Sequence, residues 1–312
     1  MNRQLTSNLM MIRPGCFSSN SETIDTNQFQ SSVGINDNLS SIRNQAIIEF
    51  DNMVKILRSN NLNIIVFDDD LILNNADAVF PNNWVTFHQN NRAVIYPMMS
   101  QSRRSEKRLE LLDLMTSEYF YNIEEIIDLS YLEQNNIFLE GTGSVIFDRL
   151  NKIFFACLSP RTNYQALEIL AKEIDYDFIS FKAFNRSLPI YHTNVMMSLG
   201  EKLAFICLDA IEDKETAKKI LSRIQQNERK VIEISIDQMN YFCGNVLEVS
   251  NTNDESIIIM SKSASNSLTL GQKNKINQYS RAIEIPINTI EKYGGGSTRC
   301  MIAEVFLNKI DG

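Results

Sequence analysis

Residues 143–174 read GSVIFDRLNKIFFACLSPRTNYQALEILAKEI, and this stretch decides the fold. Two apolar runs flank a turn from Asp148 to Lys152, the pattern of paired strands. A helix from Asn163 to Ile174 follows, with Thr162 placed to cap it. The same order of events recurs along the chain. VTFHQNNRAVIYPM predicts a hairpin with Asn90-Asn91 at its turn, and a charged helix begins near Arg103. NVMMSLGEKLAFICLDAI predicts two strands around Gly200-Glu201, ahead of a helix from Lys214 to Gln226. NVLEVSNTNDESIIIMS is again a hairpin, followed by a short helix near Gly271 to Tyr279. At the start, the strand Leu9 to Pro14 precedes a helical stretch from Gln45 to Ser59. There Ile47, Phe50, Val54 and Leu57 recur at intervals of three or four. The strand Asn63 to Phe67 comes next, and the last strands surround Gly294 to Gly296. A hairpin-then-helix unit thus recurs about five times, at a spacing of roughly 50–60 residues. No Pro, Gly or Ser linker separates the units. The expectation is one α/β domain over residues 1–312, a closed ring of ββαβ-type modules around a central site. An open α/β sandwich is the alternative that the pattern leaves.

The chain has 312 residues, with 30 Lys plus Arg against 38 Asp plus Glu, a net charge of −8. An acidic chain without a basic run is a poor ligand for nucleic acid, where clustered cations supply most of the affinity. No segment approaches the roughly 18 uncharged apolar residues that span a bilayer. The opening MNRQLTSNLMMIRPG lacks the apolar centre of a secretory signal. Cys16, Cys157, Cys207, Cys243 and Cys300 are odd in number and show no CxxC spacing. Reduced thiols in a cytoplasm are expected, without disulfides or zinc knuckles. Only His88 and His192 can supply an imidazole.

Cys300 follows GGGSTR and precedes MIAEVF. Glycines let backbone approach a ligand closely, and a cysteine at such a loop, beside Arg299, can be held as a thiolate. A buried structural cysteine is the competing reading. Cys157, Cys207 and Cys243 lie in or beside apolar runs and read as core. His192, in LPIYHTNVMMS, suits general acid–base work near neutral pH, or a structural role. His88, within VTFHQ, reads as structural. Glu140 precedes GTGS, where a carboxylate can orient an imidazolium or accept a substrate proton. That GTG lacks the third glycine of a dinucleotide fingerprint, and a strand rather than a helix is expected after it. Asp68-Asp69-Asp70 reads as a solvated turn, and no metal is expected. Asn82, Asn83 and Trp84 sit at a loop entering a strand, as a polar-ligand site or a plain turn. Arg161, in SPRTN, is either a carboxylate grip or a surface residue.

Taken together, the blocks MIRPGCFSSNSET, FPNNWVTFH, YPMMSQSRRSEKR, FLEGTGSVIFDRLNKIFFACLSPRTN, YHTNVMMSLGEKLAFICLDAI and GGGSTRCMIAEVF resemble the guanidine-modifying superfamily. This superfamily includes arginine deiminase, dimethylarginine dimethylaminohydrolase and amidinotransferases. The branch most similar is the arginine deiminase-related one labelled citrulline-utilization hydrolase. The blocks run in family order from residue 11 to residue 306. The resemblance implies a five-bladed α/β propeller, the pentein fold. It implies a Cys300 nucleophile, His192 as general acid/base and Glu140 as its partner, with no cofactor. Arg161 would hold the amino-acid carboxylate, and Asp77 would bind the substrate's guanidine end.

Two departures bear on substrate. Guanidine-acting members usually carry an aspartate where this chain has Asn83, and deiminases often have His-x-Asp where it has His192-Thr193-Asn194. Neutral amides forgo the attraction to a guanidinium but both donate and accept hydrogen bonds, which suits a ureido group. The expected function is hydrolysis of the ureido or guanidino carbon of an arginine-like amino acid. Citrulline is favoured, giving ornithine, carbon dioxide and ammonia. Arginine or methylarginine hydrolysis, amidinotransfer and a non-catalytic ligand-binding propeller are the alternatives. The expected partner is a small amino-acid substrate, with neither nucleic acid nor membrane, and self-association is left open.

Overall fold

The computed structural model describes residues 3–35 and 37–310. Five three-stranded sheets share one plan. In four of them a hairpin gives two antiparallel strands, and a third strand returns parallel to the middle one. These are Val85–His88, Arg92–Ile95 and Glu125–Asp128, then Val145–Asp148, Ile153–Cys157 and Asp177–Phe181. Met197–Leu199, Leu203–Ile206 and Lys230–Glu233 repeat the plan, as do Leu247–Ser250, Ser256–Ser261 and Arg281–Ile285. The fifth sheet joins distant parts of the chain. Ala303–Glu304 pairs antiparallel with Asn8–Arg13, which runs parallel to Asn63–Asp68. A parallel return needs a crossover of about a dozen residues or more, which explains the helix between second and third strands in every unit.

Burial falls from the first strand of a unit to the third. Val85–His88, Val145–Asp148 and Met197–Leu199 are buried at every position. Glu125–Asp128 and Lys230–Glu233 bury only Ile127 and Ile232. Strands covered on both faces read as continuous apolar runs, whereas half-covered ones alternate. The first strands are therefore innermost. Helices pack against the outer strands: Tyr164–Ile174 buries Ala166, Leu167, Leu170 and Ile174. Each such leucine is worth about 1.5–3 kcal/mol of burial.

Several local expectations are corrected. The first helix is Leu39–Ser59, capped by Asn38, whose side chain accepts the Ser41 N–H. Its opening turn is largely exposed, so the apolar period does not register it. Asn163 rather than Thr162 caps Tyr164–Ile174, accepting from the Gln165 N–H at 2.9 Å. Thr162 instead donates to the Ser144 hydroxyl at 2.8 Å. The charged helix near Arg103 divides into a 3-10 turn, Gln101–Glu106, and the helix Glu110–Ser117. GTGS forms a helical turn, Gly141–Ser144, before its strand. Of MIAEVF only Ala303–Glu304 pairs as strand. Gly294 ends the helix Asn288–Gly294, and Gly295 follows in the left-handed region at φ 64°. Among the described residues, no helix is long and apolar enough to cross a membrane.

Candidate active site

Most of the site-forming residues share a position in their units, ahead of a first, innermost strand, whereas Arg103 and Arg161 follow second strands. Asp77 and Asn83 precede Val85–His88, Glu140 precedes Val145–Asp148, and His192 and Asn194 precede Met197–Leu199. Asn245 precedes Leu247–Ser250, and Cys300 precedes Ala303–Glu304. Residues far apart in sequence therefore meet at one end of the innermost strands. There Cys300, His192, Asp77, Asn83, Arg103 and Arg161 line a cleft of about 280 Å³.

Cys300 is 6% exposed. Two amides reach its sulfur, Asn245 Nδ2 at 3.2 Å and Asn194 Nδ2 at 3.4 Å. Asn194 thus stands behind the nucleophile rather than in the cleft wall. Arg299, expected beside the thiol, turns away to the Ile302 carbonyl at 3.0 Å and to Glu304 at 2.7 Å. The cleft's cations are Arg103 and Arg161.

His192 Nε2 lies 2.8 Å from Glu140 Oε2. Burial lowers the imidazole to about 4, although Glu140 pulls the other way. At neutral pH the ring is therefore neutral and able to take a proton. Glu140 is fully buried, and its other oxygen accepts the Met99 N–H at 3.1 Å. Burial opposes its charge, but Arg161, His192 and Arg103 outweigh it and hold the carboxyl at about 2. Gly143 makes room for this pair. A Cβ there would lie 2.5 Å from Asn83 Nδ2 and 2.7 Å from His192 Nδ1.

Arg103 organises the acidic side of the cleft and was not singled out by the sequence reading. It is buried, forks onto Glu106 at 2.8 and 2.7 Å, and donates to Asn83 Oδ1 at 2.9 Å. It also lies 3.6 Å from Asp77 and 3.9 Å from Glu140. Burial works against the guanidinium, but Glu106 and Asp77 hold it charged, with its pKa raised. Burial raises Asp77, which accepts from Asn20 Nδ2 at 2.9 Å. With Asn83 Oδ1 occupied, its Nδ2 has no protein partner among the described residues.

Arg161 donates to the Thr23 carbonyl at 3.2 Å, lies 3.6 Å from Glu140 and stacks over Tyr191 at 4.9 Å. Its Nε has no partner among the described residues. Tyr191 donates to the Gly295 carbonyl at 2.9 Å, fixing the glycine loop beside Cys300. The signals for the missed residues were the Arg-x-x-Glu spacing of RRSE and the place of Asn245 directly ahead of a first strand.

Other candidates fall outside the cleft. His88 is buried against Thr86 at 2.9 Å, and burial holds its pKa well below the usual imidazole value. Trp84 is core, and Asn82 donates to the Thr142 hydroxyl at 3.2 Å. Asp69 accepts from the Gly15 and Cys16 N–H groups, and Asp70 from that of Ile72. Burial pushes the Cys157 thiol up to about 12 and those of Cys207 and Cys243 to about 11. Such thiols are inert at neutral pH.

A family model described as N,N dimethylarginine dimethylhydrolase, eukaryotic, matches residues 13–307. Among solved structures, the N-terminal domain of ArgZ, an arginine dihydrolase from the ornithine–ammonia cycle in Cyanobacteria, is 18% identical. That structure, a Cys-to-Ser variant bound to substrate, aligns with a TM-score of 0.73 over 96% of this chain and 97% of its own. A Cys-to-Ala variant of AgrE with L-arginine is 17% identical, with a TM-score of 0.74 over 96% of this chain and 40% of its own. A dimethylarginine dimethylaminohydrolase variant carrying an S-methyl-L-thiocitrulline adduct is 16% identical, with a TM-score of 0.63 over 97% and 100%. No curated protein sequence matches the chain. Mixed α/β architecture and family match together define a pentein of the guanidine-modifying superfamily and a C–N hydrolase, as its amidine- and guanidine-hydrolysing homologues are. Within it, the chain belongs to the N,N dimethylarginine dimethylhydrolase family.

Proposed function

We propose that this chain uses Cys300 to hydrolyse the terminal ureido or guanidino carbon of an arginine-like amino acid. The observation that carries this is the convergence of Cys300 and the Glu140-bound His192 on one small cleft. The neutral His192 takes the Cys300 thiol proton as the sulfur attacks the planar carbon, and passes that proton to the departing nitrogen. The imidazole, neutral again, then takes a proton from water, whose oxygen adds to the carbon, and returns that proton to the sulfur as it leaves. Glu140 fixes the ring and offsets the charge it gains. Arg161 anchors the amino-acid carboxylate, Asp77 and Asn83 orient the terminal nitrogens, and Asn194 steadies the sulfur. The chain acts as one domain in this reading, and its five like sheets close as a five-bladed propeller. Support for closure comes from the sheet shared by Ala303–Glu304 and Asn8–Arg13.

Two substrate readings each rest on an observation. Asn83 gives its oxygen to Arg103, so the end left over is an N–H donor. A ureido oxygen accepts from such a donor, whereas a guanidinium has only donors of its own. This favours citrulline, which with one water gives ornithine, carbon dioxide and ammonia. Arginine or a methylated arginine is the second reading. It is supported by the family description, by L-arginine in AgrE and by the Asp77 carboxylate in the cleft. Incubation with citrulline, arginine and methylated arginines, with assays for ammonia, methylamines, ornithine and citrulline, tests both. Release of ornithine from citrulline supports the first reading, and release of citrulline from arginine or methylarginine supports the second. Turnover of none of them refutes the proposal. Asn83→Asp is expected to shift kcat/KM toward the guanidines.

A further inference from the structure

We propose that a second cavity, at the opposite end of the innermost strands, binds a small carboxylate anion through Arg149. This small cavity is lined by Gln4, Phe147, Arg149, Ser198, Glu248 and Arg299, among others. It shares no lining residue with the Cys300 cleft.

Arg149 is 3% exposed. Its guanidinium lies over the Phe306 ring at 4.0 Å and the Phe147 ring at 4.9 Å. Aromatic rings cover the faces of a guanidinium and leave its N–H edge for other partners. The one side-chain hydrogen bond at that edge among the described residues goes to His88 Nδ1, at 3.5 Å. Burial keeps that imidazole neutral, so it supplies no counter-charge. Among the described residues, no carboxylate lies within 4.0 Å of Arg149.

The other charged groups around the cavity have protein hydrogen-bond partners. Arg299 pairs with Glu304 at 2.7 Å. Glu248 accepts from the Ser256 hydroxyl at 2.8 Å and the Leu203 N–H at 3.1 Å. Asp148, next to Arg149 in sequence, is forked by Arg229 at 2.6 and 2.9 Å. Arg149 is thus a buried cation with no anion within 4.0 Å among the described residues, while Glu248 is held by neutral donors alone; buried charges are as a rule paired. A second donor stands ready at the same wall: the Ser198 hydroxyl has no protein partner among the described residues. Gln4 braces the wall by donating to the Phe147 and Leu199 carbonyls, at 2.9 and 3.0 Å, and by accepting the Arg149 N–H at 2.8 Å. A guanidinium edge plus a hydroxyl matches the two oxygens of a carboxylate.

The test is thermal unfolding of the full chain against sodium acetate, glycine and sodium sulfate at constant ionic strength. An Arg161→Gln background removes carboxylate binding in the Cys300 cleft. The expected result is a saturable rise in melting temperature with acetate or glycine, retained in Arg161→Gln. Affinity should fall at least tenfold in Arg149→Lys, which keeps the charge and loses the fork. Response to acetate identifies the bare carboxylate as sufficient, and response to glycine alone identifies an amino acid as its source. Ser198→Ala, which removes only a hydroxyl, should weaken binding several-fold. An equal response to sulfate, an unsaturable response, or unchanged affinity in either cavity variant overturns the site.

Discussion

Replacing Glu140 by Gln probes the pair on which the chemistry turns. The carboxylate is fully buried and contacts His192 at 2.8 Å, Arg161 at 3.6 Å and Arg103 at 3.9 Å. Its fall from 4.5 to about 2 corresponds to about 3 kcal/mol in favour of the ionised form. A depressed carboxyl stabilises the fold fully above its unfolded value and loses that contribution as pH falls through its folded value. Glu140→Gln should therefore cost about 3 kcal/mol at pH 7, and the difference from the parent should shrink to about 1 kcal/mol near pH 3. His192 acts in a higher window. Its folded value of about 4 lies below the unfolded 6.5, so the unfolded chain takes up the proton first. Parent stability should then already decline as pH falls from 6.5 toward 4, and this limb persists in the variant. Catalysis should suffer more than folding, because the imidazolium formed during turnover loses its counter-charge and the ring its orientation. Loss of the carboxylate in a comparable triad costs about 10⁴-fold in kcat, and a fall of about 10²–10⁴ is expected here. Urea unfolding followed by the buried Trp84 gives stability, and ammonia release gives kcat. Activity within tenfold of the parent, or a stability difference that does not narrow in acid, would refute the reasoning.

Gly143→Ala should displace the imidazole or Asn83, since the added Cβ meets both within 2.7 Å. An activity loss of about 10²-fold is expected, with about 1–3 kcal/mol of destabilisation from overpacking, read by kinetics and urea titration. Arg103→Gln removes the cation that forks onto Glu106 and its bond to Asn83. Removing one partner of a buried ion pair costs about 3–5 kcal/mol, so the melting temperature should drop sharply, and an unchanged value would exclude this role. Cys300→Ser should abolish turnover while leaving the circular dichroism spectrum intact. It should also remove the one thiol that a haloacetamidine labels selectively in the parent.

The sequence by itself determined the recurrent unit. Apolar strand runs followed by helical stretches recur along the chain, because the local patterning of Val145–Asp148, Ile153–Cys157 and Tyr164–Ile174 needs no distant contact to be read. It also marked Cys300, His192, Glu140 and Asn83, which stand at loops entering inner strands, Arg161 ahead of a helix, and Asp77 through the family resemblance. Tertiary structure alone decided which cations serve the cleft. Arg299 is the sequence neighbour of Cys300 yet points to Glu304, while Arg103, nearly two hundred residues earlier, forks onto Glu106 beside Asp77. It likewise decided that Asn83 presents nitrogen rather than oxygen, and that Asn194 and Asn245 back the sulfur. The physical reason is that strand and helix periods are fixed by backbone geometry within a few residues. The direction of a buried polar side chain is set by whichever charge or hydrogen-bond partner the packing of separate units brings within about 3 Å.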